Sequence, residues 1–355
     1  MIKVYLEGPP DNWAHGLATA KKLRLKYKPP ETIYLTNINK LSYNFIWFYS
    51  RPSKLILDNL SNGLSYAFSV GKGGRGLFLQ NIDLAHIITY TGGQLISFNK
   101  PTIYEIDPSP IDYLYYYHNV PLEKLKHLFK YLVDFFKDEQ RIFLAWQKSM
   151  VNLLLKLGFP HKIEFIPPPF PIVKKNKDEE ERKEFRILFV GYNFIDKGGL
   201  MVVKTFKKVK ERVKSAKLII VSKRIPPEIN CEGIEFLGPL ENKILREKVM
   251  PSCDISLIPY LRNRPGVTSL LESMAAGLPV IATYTPLFLD FIIDGKTGYL
   301  VKEYNEEVFS RIIIDLIENK DLLHYMRENC IKYIRDNYDP LMVSQRLYAL
   351  YRKLC

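Results

Sequence analysis

Residues 264–283, RPGVTSLLESMAAGLPVIAT, read in one pass as a loop, a helix and a buried strand. The helix opens near Thr268 and Ser269, Gly277 stops it, and LPVIAT is a short apolar run of the kind that sits inside a sheet. A glycine-bearing loop ahead of a helix N-terminus presents unpaired N–H groups and partial positive charge, which suits a phosphate. Gly266, Val267 and Thr268 are therefore candidate phosphate contacts. Glu272, one turn further along, is placed to accept hydrogen bonds from ribose or sugar hydroxyls.

Outward from this segment the pattern repeats. RILFVG (186–191), KLIIVS (217–222), IEFLG (234–238), DISLIP (254–259) and LPVIAT alternate with helices expected near 198–213, 241–250 and 268–276. Such alternation predicts a parallel, doubly wound sheet. Residues 1–170 carry a second set of apolar runs: 2–6, 32–36, 54–58, 64–70, 84–89, 102–106, 141–145 and 162–166. Between the halves, IPPPFPIVKKNKDEEERKEF (166–185) stacks prolines and then alternating charges, the composition of a linker, which is set at 171–185. A second domain over 186–339 follows, and the helix expected over 340–355, opened by an Asp339 cap and Pro340, is left to cross back to the first.

At 355 residues, 47% hydrophobic and 25% charged, the chain is long enough for two cores and is neither disordered nor membrane-spanning in composition. The longest apolar runs fall short of the ~18 to 20 residues a spanning helix needs. The opening MIKVYLEGPP reads as a first strand and not a leader, so a cytoplasmic protein is expected. Cys231, Cys253, Cys330 and Cys355 have no metal-site or redox spacing. The net charge of +13 is spread along the chain, +7 over residues 1–173 and +6 over the rest. It attracts anions such as nucleotide-sugars, lipid phosphates or nucleic acid, and a lysine-rich solvated surface explains it equally well.

LLESMAAGLPVIAT, with DGKTGYLV at 294–301 downstream and FVGYNFIDKGG at 189–199 upstream, resembles the retaining GT-B glycosyltransferases of the large group-one family. These stretches are similar to that family's LEAMAxGxPVI, DGxTGxLV and VGxxxxxKG elements, and they stand in its order. The resemblance is firm over about 186–340. It implies two Rossmann-like doubly wound α/β domains facing across a cleft, and transfer of a hexose-type sugar from a nucleotide-sugar with retention of configuration. It further implies that Lys197 neutralises the departing diphosphate, that Gly191 in the VG element lies against the donor, and that Glu272 holds the ribose. No metal or other cofactor is expected, because the cleft loops carry no paired carboxylates of the DxD kind.

The chain also departs from that family. Tyr192 and Asn193 follow Gly191 where a basic residue is common. Eight places before Glu272, where the family has a first glutamate, stands Arg264. A guanidinium there would replace the missing phosphate contact or grip an acidic sugar. It would equally suit a GT-B protein that binds sugar nucleotides without transferring them.

In the first half, GPPDNWAHG leads from a strand into a helix, and Gly16 at the helix start fits the family's N-terminal glycine loop. His15 beside it is read as a cap or packing residue. GKGGRG (71–76) satisfies G-x-G-x-x-G but lacks a following helix, so a basic turn explains it better than a dinucleotide cradle. TYTGGQ (89–94) and PTIYEIDPSP (101–110) follow apolar strands, where open α/β sheets gather ligands. If the first domain supplies an acid, base or transition-state stabiliser, Asp107 is the first choice and Glu105 the second. A turn-forming aspartate before Pro108 is the plainer alternative. The helix EKLKHLFKYLVDFF (123–136) and the aromatic runs at 43–49 and 113–118 fit either core packing or peripheral attachment at an inner membrane surface. The acceptor is left open among glycan, lipid-linked and protein substrates. Glycosylation of DNA, compatible with the basic charge, is the remaining enzymatic reading.

Overall fold

The computed structural model describes residues 1–7, 16–35, 43–45, 53–55, 68–70, 76–79, 83–89, 97–98, 100–106, 121–156, 158–159, 163–173, 183–229, 231–260, 267–285 and 288–355. His15, GKGGR (71–75), YTGGQ (90–94), Asp107, residues 113–118, Arg264 and Gly266 lie outside the described residues. The chain divides into two compact units, Met1–Pro169 with Leu341–Cys355, and Phe170–Pro340.

In the first unit the chain runs β1 (Ile2–Glu7), α1 (Gly16–Lys26), β2 (Thr32–Leu35), β3 (Tyr43–Phe45), β4 (Ser53–Leu55), β5 (Phe68–Val70), β6 (Gly76–Leu79), β7 (Leu84–Thr89), β8 (Ser97–Phe98) and β9 (Thr102–Ile106). It continues through α2 (Leu122–Phe136), β10 (Arg141–Ala145), α3 (Lys148–Lys156) and β11 (Ile163–Phe165). Six strands form one parallel sheet in the order β11-β10-β9-β7-β1-β2. The described parts of the runs at 54–58 and 64–70 do not enter it. Their described parts, β4 and β5, pair with each other in antiparallel fashion, and β3, β6 and β8 form another small sheet.

In helix α2, Leu132, Phe135 and Phe136 are buried against Tyr104, Phe143, Met150 and Leu154, while Lys130 and Lys137 are exposed. The described part of this face is core. Each such side chain taken out of water contributes roughly 1.5–3 kcal/mol, which outweighs what an exposed apolar stripe would gain.

The second unit runs β12 (Arg186–Val190), α4 (Gly199–Arg212), β13 (Lys217–Val221), β14 (Ile234–Gly238), α5 (Asn242–Ile244) with a π-turn over Leu245–Val249, and β15 (Ile255–Ile258). It continues with α6 (Val267–Ala275), β16 (Val280–Thr283), β17 (Gly298–Val301), α7 (Glu306–Glu318) and α8 (Lys320–Tyr338), after which α9 (Pro340–Leu354) belongs to the first unit. Its sheet is again parallel, in the order β14-β13-β12-β15-β16-β17. Strands such as KLIIV and ISLI are apolar at nearly every position because helices cover both faces.

Capping marks the helix ends. The Asn305 side chain accepts the Glu307 N–H, two glutamates stand in the first turn of α7, and Asn319 ends α7 while accepting the Leu322 N–H of α8. Asp339 leaves the helical region and Pro340 opens α9. The apolar face of α9, Val343, Leu347, Leu350 and Tyr351, packs on Val4, Leu84, Ile103, Ile142 and Leu144 of the first sheet. Among the described residues no helix is long and apolar enough to cross a membrane.

Candidate functional site

In the second sheet, β13 and β14 extend to one side of β12, and β15, β16 and β17 extend to the other. The connections leaving β12 and β15 therefore diverge, and the carboxyl ends of those two strands border the kind of crevice in which open α/β sheets hold ligands. The turn after β12 and the helix that follows β15 border it.

Lys197 stands in the turn between β12 and α4. Phe194 is buried on Phe189 with ring centroids 5.7 Å apart, and the Gly199 N–H donates to the Phe194 carbonyl at 2.8 Å, which closes the turn. Gly198 adopts φ 81° at the N-cap of α4. A Cβ there would lie 1.8 Å from the Pro259 carbonyl oxygen, so both conformation and space exclude a side chain. This close approach locks the β12 turn to the end of β15. Half-buried Lys197 then carries its Nζ 4.3 Å from the centroid of the Tyr260 ring.

Gly191 has a packing role. A Cβ on it would meet the Phe189 ring at 2.7 Å and Lys197 Cβ at 2.8 Å. Its N–H already donates to the Val221 carbonyl at 3.0 Å. That amide is spent within the fold, and the absence of a side chain at Gly191 admits Lys197.

Across the crevice, Val267 is buried and Thr268 half-buried at the start of α6. Tyr260 and Ser269 share a hydroxyl hydrogen bond at 3.3 Å. Ser273 ties α6 to the sheet: its hydroxyl donates to the Ser269 carbonyl at 2.8 Å and accepts from the Ser256 hydroxyl at 3.0 Å. Tyr260 thus touches both the lysine turn and the α6 N-terminus. Sequence reading passed it over, although its place directly after the apolar run ISLIP was the available signal.

Glu272 is 7% exposed. Its Oε1 lies 3.7 Å from Arg246 Nη1 on the π-turn, beyond hydrogen-bond reach, and neither atom has a hydrogen-bond partner among the described residues. Burial raises its carboxyl pKa to about 7, which Arg246 only partly opposes. The folded value stands above the unfolded value of 4.5, so the stability Glu272 contributes is full below 4.5 and lost as pH rises through about 7. At pH 8 the buried carboxylate costs up to about 3 kcal/mol. We therefore expect Glu272→Gln to raise the melting temperature of the ligand-free protein at pH 8 by more than it does at pH 5. A difference that does not change with pH would show that the carboxyl is not strained.

In the first unit the sheet order reverses between β7 and β1, and α1 begins at Gly16 next to that edge. Glu105 on β9 faces the interior. It is fully buried and takes both arms of Arg24 at 3.2 Å, the Trp146 Nε1–H at 2.7 Å and His86 Nε2 at 2.8 Å. Burial alone would raise its pKa, but the Arg24 charge and the hydrogen bonds of His86 and Arg24 prevail and hold it at about 2. Burial lowers the pKa of His86 despite Glu105, leaving a neutral ring at neutral pH. A carboxylate only accepts, so Nε2 carries the proton. Nδ1 then accepts from the Tyr351 hydroxyl at 2.6 Å, whose oxygen in turn accepts from Tyr34 at 3.0 Å. Glu105 is therefore a structural anchor, which corrects its place as second choice for acid or base. Sequence reading missed this network because its members come from five separate elements and the turn after β10.

The fold and crevice define a class: two α/β units with parallel, doubly wound sheets, as in GT-B glycosyltransferases. Residues 172–335, just under half of the chain, match the family model described as Glycosyl transferases group 1. The match falls within the second unit. An uncharacterized glycosyltransferase of Methanocaldococcus jannaschii is 25% identical over 249 residues, 62% of this chain and 63% of that protein. The chain thus spans less than two thirds of that relative. A capsular polysaccharide biosynthesis glycosyltransferase of Staphylococcus aureus is 22% identical over 265 residues, 67% of this chain and 69% of its own length. Among solved structures, Anabaena HepE in complex with UDP and glucose superposes with a TM-score of 0.58 at 14% identity, covering 77% of this chain and 78% of HepE.

Proposed function

We propose that the protein is a glycosyltransferase that moves a hexose-type sugar from a nucleotide-sugar to an acceptor recognised by the first unit. The observation that carries this reading is the convergence of Lys197, the α6 N-terminus and the buried Glu272 at the reversal of the second sheet. Each group has a distinct task. Lys197 opposes the negative charge that grows as the diphosphate leaves. The α6 N-terminus receives a phosphate, and Glu272 accepts from a ribose hydroxyl. Retention of configuration and independence of metal follow from the group-one resemblance, with Lys197 and helix N-termini neutralising the diphosphate.

A thermal-shift screen with ADP, GDP, UDP and their glucose conjugates tests the reading. A nucleotide at 100 times its Kd adds about 2.7 kcal/mol of apparent stability, so one nucleotide series is expected to raise the melting temperature by several degrees. If no nucleoside diphosphate and no conjugate shifts it, the proposal fails. Arg264 in place of a carboxylate motivates the second reading, a protein that binds sugar nucleotides without transferring them. A melting shift with no nucleoside diphosphate released from any conjugate, across glycan, lipid-linked and protein acceptors, would favour it.

A further inference from the structure

We infer that Arg246, on the π-turn ahead of β15, is a second donor-binding residue, which with Glu272 clamps a single ribose hydroxyl of the nucleotide. The inference rests on the proposed nucleotide site of the second unit. Arg246 Nη1 and Glu272 Oε1 face each other across 3.7 Å, and both atoms are buried without a hydrogen-bond partner among the described residues. Such a pair is unusual: a guanidinium N–H and a carboxylate oxygen this close ordinarily shorten into a hydrogen bond, and leaving both unmade is costly.

Both atoms of the pair are buried with their hydrogen-bonding capacity unused among the described residues. Two hydrogen bonds of about 2.8 Å converge on a single oxygen placed beside both groups. That oxygen must donate to Glu272 and accept from Arg246. A phosphate or carboxylate only accepts and is repelled by Glu272, and an ammonium only donates and is repelled by Arg246. A hydroxyl does both. A ribose hydroxyl placed there makes both bonds at once.

The local backbone supports the assignment. Leu245–Val249 is wound as a π-helix, with the Met250 N–H donating to the Leu245 carbonyl at 2.8 Å. Leu245 is buried in the core beside Met250 and Cys253, and Arg246 follows it with a side chain only 21% exposed. π-Turns inside helices recur at functional sites because the extra residue redirects a side chain.

The test is calorimetric titration of the whole 355-residue chain with ADP, GDP and UDP and with their 2′,3′-dideoxy forms, for wild type, Arg246→Met, Glu272→Gln and the double variant. For the base that binds, Arg246→Met is expected to weaken the ribonucleotide by about tenfold or more, and its dideoxy form by less than about twofold. In the double variant the two losses are expected not to multiply, since both residues hold one group. Equal losses on ribo and dideoxy ligands would overturn the clamp in favour of a general charge effect, and unchanged ribonucleotide affinity would remove Arg246 from the site. Neither result would touch the function proposed above. Absence of binding by wild type would overturn that function and the clamp with it. Should Arg246→Met melt early, Arg246→Gln keeps a donor on a shorter arm, and the same ribo-to-dideoxy ratio reads its effect.

Discussion

Replacing Lys197 by alanine is expected to lower turnover with a nucleotide-sugar and its acceptor by about 10²–10³-fold, while nucleoside diphosphate affinity changes only a few-fold. The asymmetry follows from the geometry. Lys197 is half-buried, held over the Tyr260 ring by a turn that the Gly198–Pro259 contact makes rigid. A charge fixed in such a place does not need to reorganise, so its benefit is largest when the leaving diphosphate is most negative. Single-turnover rates and calorimetric affinities for wild type and Lys197→Ala separate the two quantities. Parallel losses in both would make Lys197 a binding residue, and an unchanged rate would take it out of the mechanism.

Glu105→Ala should destabilise the first unit by about 3–5 kcal/mol, because it leaves the Arg24 guanidinium buried without a counter-charge. Among the described residues, Arg24 would keep only its hydrogen bond to the Ile166 carbonyl at 2.8 Å. His86 and Trp146 would lose their acceptor as well. Removing both charges with Arg24→Leu and Glu105→Leu together is expected to recover most of the loss, as buried ion pairs often tolerate joint apolar replacement. Urea unfolding followed by circular dichroism reads both. The two units can unfold separately, so the transition that moves is the one to compare. The Glu105 pKa adds a pH signature: its folded value of about 2 lies below the unfolded 4.5, so this stability is present above 4.5 and lost as pH falls through about 2. A single variant within about 1 kcal/mol of wild type would show that the network does not hold the unit. Loss of turnover in a well-folded Glu105→Gln variant would return Glu105 to the reaction.

The part of the site legible in the sequence lies in the second unit, where single short segments carry whole pieces of it. VGYNFIDKGG contains the end of β12, the Phe194 plug, the lysine and the glycine N-cap within one turn. VTSLLES contains the α6 start and Glu272. In the first unit the corresponding loops lie outside the described residues, and the two carboxylates near the end of β9 illustrate the difficulty. Glu105 and Asp107 stand two apart in a strand-then-loop sequence, and nothing local tells which meets solvent. The side of the sheet on which Glu105 falls decided it: the same face as Ile103, Leu84 and α9, and therefore the core.

By itself the sequence determined the alternation of strands and helices, the helix starts and stops, and the placing of Lys197 and Glu272 after strands of one sheet. These follow from apolar periodicity, helix-end residues and glycine turns, all of which act within a few residues of chain. Only the tertiary structure decided the strand order that reverses between β12 and β15, the Arg246–Glu272 gap, the burial of Glu105 and the seat of α9 in the first unit. Those depend on which strands become neighbours and in what register, as when Tyr351 meets His86 across 265 positions of sequence. Contacts of that range are set by how whole faces pack, and no local preference encodes them.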